Sequence, residues 1–128
     1  MNTRGRHFML DLFECRREAL NDAALLERLL TEAAEAAGAH VVARVFHPFS
    51  PHGVSGVLAI EESHLSVHTW PEQGYAALDF YTCGDVDPEA ALSSLSRALG
   101  AGRAELLEVT RGVSAENTLQ LSQRKRIS

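Results

Sequence analysis

Only two stretches of this chain carry helical apolar periodicity, and each shows a single stripe. In the first, Leu26, Leu29, Leu30, Ala33 and Ala37 recur at i, i+3, i+4, i+7 and i+11. In the second, Ala91, Leu92, Leu95, Ala98 and Leu99 form the apolar face. A helix with one apolar stripe has one face to bury. The other apolar segments are short and strand-like, so both helices are expected on one face of a sheet, in a two-layer α/β sandwich of the α+β kind.

The punctuation sets the order. Residues 6–15 (RHFMLDLFEC) read as a first strand, and Asn21 or Asp22 can cap a helix running to about Ala37, with Gly38 as its stop. The β-branched run 40–46 is a second strand, and 48–53 is rich in turn residues. Strands over 54–60 and 65–70 follow, joined only by Glu61-Glu62-Ser63-His64, and a fifth covers 75–82. Asp87-Pro88-Glu89 opens the second helix, with a capping acid and proline at the first helical position; Gly100 and Gly102 end it. A sixth strand over 104–109 completes the order β-α-β-β-β-β-α-β, largely antiparallel, with strand order left open. Residues 113–128 read as a loosely ordered tail.

The 128 residues make one domain, whose folded surface should be roughly 7,000 Å². A hydrophobic fraction of 45% with 23% charged residues excludes a disordered chain. No apolar run is long enough to span a membrane. MNTRGRHF lacks the apolar run of a signal peptide, so the cytoplasm is the expected compartment. A net charge of −5 argues against a nucleic-acid partner, and the basic cluster Arg124, Lys125, Arg126 reads as a solvated end. Cys15 and Cys83 are too few for a disulfide framework, which leaves each as buried filler or a working thiol.

Reactive side chains crowd between His47 and Cys83, most densely in residues 61–72 (EESHLSVHTWPE). His64 and His68 are four apart, but on a strand that spacing separates the rings by about 13 Å. One metal cannot join them, HExxH is missing, and no metal is expected. A serine hydrolase is disfavoured because the chain has no G-x-S-x-G elbow.

Taken together, residues 47–84 (HPFSPHGVSGVLAIEESHLSVHTWPEQGYAALDFYTCG) closely resemble the small prokaryotic S-adenosylmethionine decarboxylase proenzymes. Three motifs follow one another at that family's spacing: H-x-F-x-P-x-G-V-S-G-V, E-S-H-L-[ST]-[IV]-H-[ST]-aromatic-P-E, and a Y-A-[AS] strand ending T-C-G. The likeness extends from Gly5-Arg6-His7 to Arg111-Gly112. It implies self-cleavage between Glu62 and Ser63, giving a β chain of 1–62 and an α chain of 63–128. The Ser63 hydroxyl would attack the preceding carbonyl to form an ester. Elimination and hydrolysis would then leave a pyruvoyl group and ammonia. An amide is a poor electrophile, so this shift needs a constrained peptide and support for the oxyanion. By the same resemblance His68 is the processing base, Ser55 assists the rearrangement, and Cys83 is the proton donor in decarboxylation. The pyruvoyl group would be the only cofactor, forming a Schiff base with the substrate amine and accepting electrons as carbon dioxide leaves.

For S-adenosylmethionine the resemblance implies that Phe49 stacks on the adenine and Glu72 binds the ribose. Trp70 reads equally as an aromatic wall or as core, and Phe13 and Glu14 are further candidates for the site. On an ideal strand Ser63 and His68 would point to opposite faces. Two positions depart from the family pattern: Pro48, where a basic residue is usual, and Glu61, where a small one is common. A pyruvoyl-dependent arginine or ornithine decarboxylase is therefore the first alternative, and a non-catalytic partner protein the second. The family works as homodimers of cleaved protomers with active sites near the interface, which fits a sheet whose second face is left uncovered.

Overall fold

A computed structural model describes residues 3–113 and 119–127. Seven strands form one sheet: β1 (Gly5–Phe13), β2 (Val41–Pro48), β3 (Val54–Ile60), β4 (Ser63–Trp70), β5 (Tyr75–Thr82), β6 (Arg103–Arg111) and β7 (Leu119–Ile127). Their order across the sheet is β2-β3-β4-β5-β1-β6-β7, and every pairing is antiparallel. Three helices, α1 (Arg17–Leu20), α2 (Ala23–Ala36) and α3 (Pro88–Ala98), lie on the connections. The expected two-layer sandwich is present.

The caps are those the sequence marks. The Asp22 carboxylate accepts from the Leu25 amide at 3.0 Å, and Asp87 accepts from Ala90 at 3.1 Å, with Pro88 in the first turn of α3. Leu26 and Leu30 of α2 and Leu92 and Leu95 of α3 are buried in one core with Phe8, Leu10 and Leu12 of β1 and Leu78 and Phe80 of β5. Where α2 runs over the outer strands, Gly56 has no side chain because Phe46 of the paired strand lies across it. The accessible surface is 7204 Å².

Three local expectations are corrected. The β3–β4 connection is Glu61-Glu62 alone, since Ser63 and His64 already pair with Ile60 and Ala59. The four-residue α1 was missed because a single turn leaves no period to read. The end of the chain is not loose over 119–127, where β7 pairs with β6 from Leu119↔Arg111 to Ile127↔Ala104. Its polar and basic composition suits an edge strand, where charge discourages further pairing. Residues 114–118 and 128 lie outside the described residues. No helix among the described residues is long and apolar enough to cross a membrane.

Buried Thr69 ties α1 to the sheet. Its hydroxyl donates to the Leu20 carbonyl at 2.7 Å and accepts from the Val54 amide at 2.9 Å. Thr69→Val keeps the shape and removes both bonds. It should destabilise the fold by about 1–3 kcal/mol in urea unfolding, and an unchanged midpoint would refute this tie.

Candidate active site

Two groups of side chains sit at opposite ends of the β3–β4 hairpin. The first surrounds Ser63. A two-residue connection between paired strands leaves the backbone little room, and Ser63 takes φ 149°, a region that favours glycine. A residue held there stores on the order of 1–3 kcal/mol. The carbonyl before it is also engaged: the Cys83 amide donates to the Glu62 oxygen at 3.0 Å. Backbone strain and a donated hydrogen bond therefore meet on one peptide bond. Cys83 is half-buried at the end of β5 and lines a cavity of about 350 Å³ with Gly5, Arg6, Thr82, Gly84 and Glu108. Gly5 keeps this thiol approachable, because a Cβ there would lie 3.0 Å from Sγ and 2.8 Å from the Tyr81 ring. Cys15, by contrast, is buried, and burial pushes its thiol up to about 11; it is core.

The second group lies at the other end. Ser55 and His68 are cross-strand partners, and Oγ and Nδ1 are 2.8 Å apart. Both line a cavity of about 390 Å³ with Phe49, His52, Trp70 and Glu72. Phe49 is 51% exposed, held edge-on by the His47 ring at 4.7 Å, and its loop is closed by its own amide bonded to Gly53. Glu72 pairs with His52 at 3.2 Å. Trp70 stacks on Tyr75, and Tyr75 on Phe13, so Phe13 joins this end through an aromatic ladder rather than by direct contact with Phe49. Burial and a bond to Asp11 push the Tyr75 phenol up to about 12.

These two ends do not meet within one chain. Ser63 and His68 lie five positions apart on continuous β4, about 17 Å along an extended strand. They also fall on opposite faces, as the alternation of β4 requires. His68 faces away from the helices with His64 and Ser66, and the chain's own His68 cannot serve its own Ser63. Ser55, His68, Phe49, Trp70 and Glu72 are brought together; Glu62, Ser63 and Cys83 are brought together; the groups stay apart.

The face of the sheet turned away from the helices carries its own features. His7 contacts Asp79 at 3.2 Å and lies 3.2 Å from Arg111, and His64 packs edge-on against His7 and Tyr81. Burial, His7 and Arg111 lower the His64 pKa against the opposing pull of Asp79. A cavity of about 920 Å³ opens on this same face between Met9, Asp79, Leu107, Leu119 and Leu121, and holds none of the expected site residues.

The sequence reading gives His40 and His52 no role, and His47 enters it only as the first residue of a motif. His47 and His52 flank Phe49, and that flanking was the available signal. His40 gave none, since its partner Glu62 lies 22 positions away. Among the described residues, His40, Glu61 and Glu62 bring three potential ligating atoms within 4.8 Å of one another on the exposed hairpin end.

A model of the S-adenosylmethionine decarboxylase family matches residues 6–112. A protein of Thermotoga maritima named S-adenosylmethionine decarboxylase proenzyme is 50% identical over 113 residues, 88% of this chain and 87% of that one. A protein of the same name from Caldicellulosiruptor saccharolyticus is 48% identical over 114 residues, 88% and 92% of the two chains. The crystal structure of the adenosylmethionine decarboxylase from Aquifex aeolicus superposes with a TM-score of 0.81 at 32% identity, over 91% of this chain and 98% of that one. Likeness of this extent in both sequence and fold means that the chain belongs to the S-adenosylmethionine decarboxylase family.

Proposed function

We propose that the chain is a proenzyme that cleaves itself between Glu62 and Ser63 and then decarboxylates S-adenosylmethionine, working as a homodimer whose sites are each built from two subunits. The observation that carries this reading is the peptide bond itself: a strained Ser63 directly after a carbonyl that already accepts from the Cys83 amide. In the cleavage step the Ser63 oxygen bonds to the Glu62 carbonyl carbon as the C–N bond breaks. The hydroxyl proton ends on the freed nitrogen. Charge that builds on the Glu62 oxygen is met by a donor already in place.

The dimer supplies what one chain lacks. The exposed sheet face carries a broad apolar groove, and Leu119 and Leu121 stand 66% and 59% exposed along it. Large exposed apolar surface of this kind marks an interface. A two-fold axis perpendicular to the strands reverses their direction, so it lays the Ser63 end of one sheet over the His68 end of the other. Ser63 and Cys83 of one subunit then lie at the same end of the dimer as Ser55, His68, Phe49 and Glu72 of the other, and each protomer contributes to both sites.

Residues around Ser63 fit a pyruvoyl group, since Gly5 leaves open space beside Cys83 Sγ. Formed there, the group supplies an electron-accepting carbonyl for the loss of carbon dioxide. The chain's own groups bind and move protons around it. Cys83 holds a proton at Sγ for the substrate's α carbon. Phe49 offers an exposed ring face to the adenine, and Glu72 offers carboxylate oxygens to the ribose hydroxyls. Decarboxylated S-adenosylmethionine, the product, is an aminopropyl donor for spermidine synthesis, which belongs in the cytoplasm.

Intact mass spectrometry of the purified chain, followed by carbon dioxide release from S-adenosylmethionine, arginine and ornithine, tests the reading. Two fragments broken after Glu62, the later one blocked by pyruvoyl, with release from S-adenosylmethionine, is the expected result. Release from arginine or ornithine alone would overturn the substrate, and one uncleaved inactive chain would overturn the mechanism. Phe49→Ala should raise KM for S-adenosylmethionine by roughly 10-fold or more, the loss of one stacked aromatic contact. Unchanged affinity would remove Phe49 from the binding site.

A further inference from the structure

Resting on the self-cleavage reading, we propose that His40 is a positioning residue for cleavage, holding Glu62 so that its carbonyl stays on the Cys83 amide while the strain sits at Ser63. His40 lies at the end of the turn leaving α2, just before β2. Its backbone amide donates to Glu62 Oε1 at 3.1 Å, and its ring Nδ1 lies 2.8 Å from Oε2. The His40 carbonyl accepts in turn from the Glu61 amide at 2.9 Å. Three bonds thus fasten the residue that leads into β2 to both residues of the hairpin connection.

Glu62 is therefore gripped from two sides. Its carboxylate is held at the head of β2, and its carbonyl at the end of β5. A hairpin this short can relieve the unfavourable φ at Ser63 by rotating the peptide before it, and such a rotation would swing the Glu62 carbonyl off the Cys83 amide. With the carboxylate anchored, rotation costs the His40 bonds as well. The clasp acts only before the bond breaks, because afterwards Glu62 is a free end.

The charges facing the ring are Glu62 and Glu61, whose carboxylate lies 3.9 Å from Nδ1. Asp85 and Asp87 are on the neighbouring loop; Asp87 is tied to Ala37 through its amide and to the α3 cap through its carboxylate. The bond to Glu62, then the charges of Glu62 and Glu61, raise the His40 pKa. Burial pushes the Glu62 carboxyl up, but the His40 bonds and charge outweigh it and the net direction is down. The charged form of the clasp thus spans the pH range between Glu62's lowered and His40's raised pKa, and weakens as pH rises through the latter. Exposure makes this part sensitive to salt.

The test follows cleavage of full-length chain made in a cell-free system, by gel and mass spectrometry, across pH and at low and high salt. His40→Leu removes the ring donor and should slow first-order cleavage about 5- to 20-fold, the effect of one hydrogen bond to a charged group. His40→Gln can still donate to Glu62, so it should recover most of the rate while losing the decline at high pH. Glu62→Leu should be slow, and His40→Leu added to it should cost nothing more, because His40 acts through Glu62. Equal rates for the wild-type chain and His40→Leu would overturn the clasp alone. Additive effects of the two leucine substitutions would overturn it in favour of a general packing role. If His40→Leu does not fold, His40→Gln carries the test, and an unaltered high-pH decline in that variant would overturn the proposal. Absence of fragments from the wild-type chain would instead overturn self-cleavage and the clasp with it.

Discussion

Ser63→Ala should leave the chain at its full mass, with no break after Glu62 and no carbon dioxide released from S-adenosylmethionine above background. The loss is expected to be complete rather than partial, since the substitution removes the only atom that can become the ester oxygen on residue 63. Both later events depend on it: without the ester there is no leaving group for elimination, and without elimination there is no pyruvoyl carbonyl. The fold should survive. Ser63 stays in β4 through backbone pairing with Ile60 and Thr82, and alanine at φ 149° is strained to the same degree as serine. Thermal unfolding of the variant should therefore stay close to that of the uncleaved parent, within the usual range of about 0.5 kcal/mol for a substitution that removes no buried contact. Two fragments from this variant would eliminate Ser63 as the nucleophile and the pyruvoyl group with it. An intact chain that still released carbon dioxide would move catalysis to another carbonyl.

Much of the architecture was legible because it follows from local rules. The stripes of α2 and α3, the caps Asp22 and Asp87, and the limits of β3 and β5 are all written within a few residues of where they act. The sandwich then follows, because two one-sided helices need one surface. The order β2-β3-β4-β5-β1-β6-β7 was not legible, since nothing local says that β1 is inserted between β5 and β6. β7 was missed because its basic residues suit a solvated end as well as an edge strand. The site behaved in the same way. Its residue types stood out through their motifs, but their distances depend on register. Once Ser63 pairs with Thr82, β4 runs unbroken to Trp70, and the histidine that a motif sets five positions away is carried to the far end. His40 shows the limit most clearly, because it meets Glu62 only once β2 has paired with β3 in the register that sets Val41 opposite Ile60.

A pair of inactive variants should restore one another when their defects lie in opposite halves of the site. Ser63→Ala lacks the proposed nucleophile but keeps Ser55 and His68; His68→Ala lacks the proposed processing base but keeps Ser63 and Cys83. Expressed alone, each should yield uncleaved, inactive dimers. In a heterodimer of the two, one site draws Ser63 and Cys83 from the His68→Ala chain and Ser55 and His68 from the Ser63→Ala chain, and is complete. The other site carries both defects. Purified heterodimer should thus recover about half of wild-type activity, and a randomly assorted co-expression about a quarter, as two-fold symmetry requires. Mass spectrometry should find fragments from the His68→Ala chain only. Ser63→Ala with Cys83→Ala makes the contrast, because both residues belong to the same half and every site in that heterodimer keeps one lesion; no recovery is expected. A site built within one chain predicts failure for both pairs, since no chain then carries a full set. Recovery that ignores which end of the hairpin bears the substitution would be equally damaging, because five positions of extended β4 hold Ser63 and His68 about 17 Å apart.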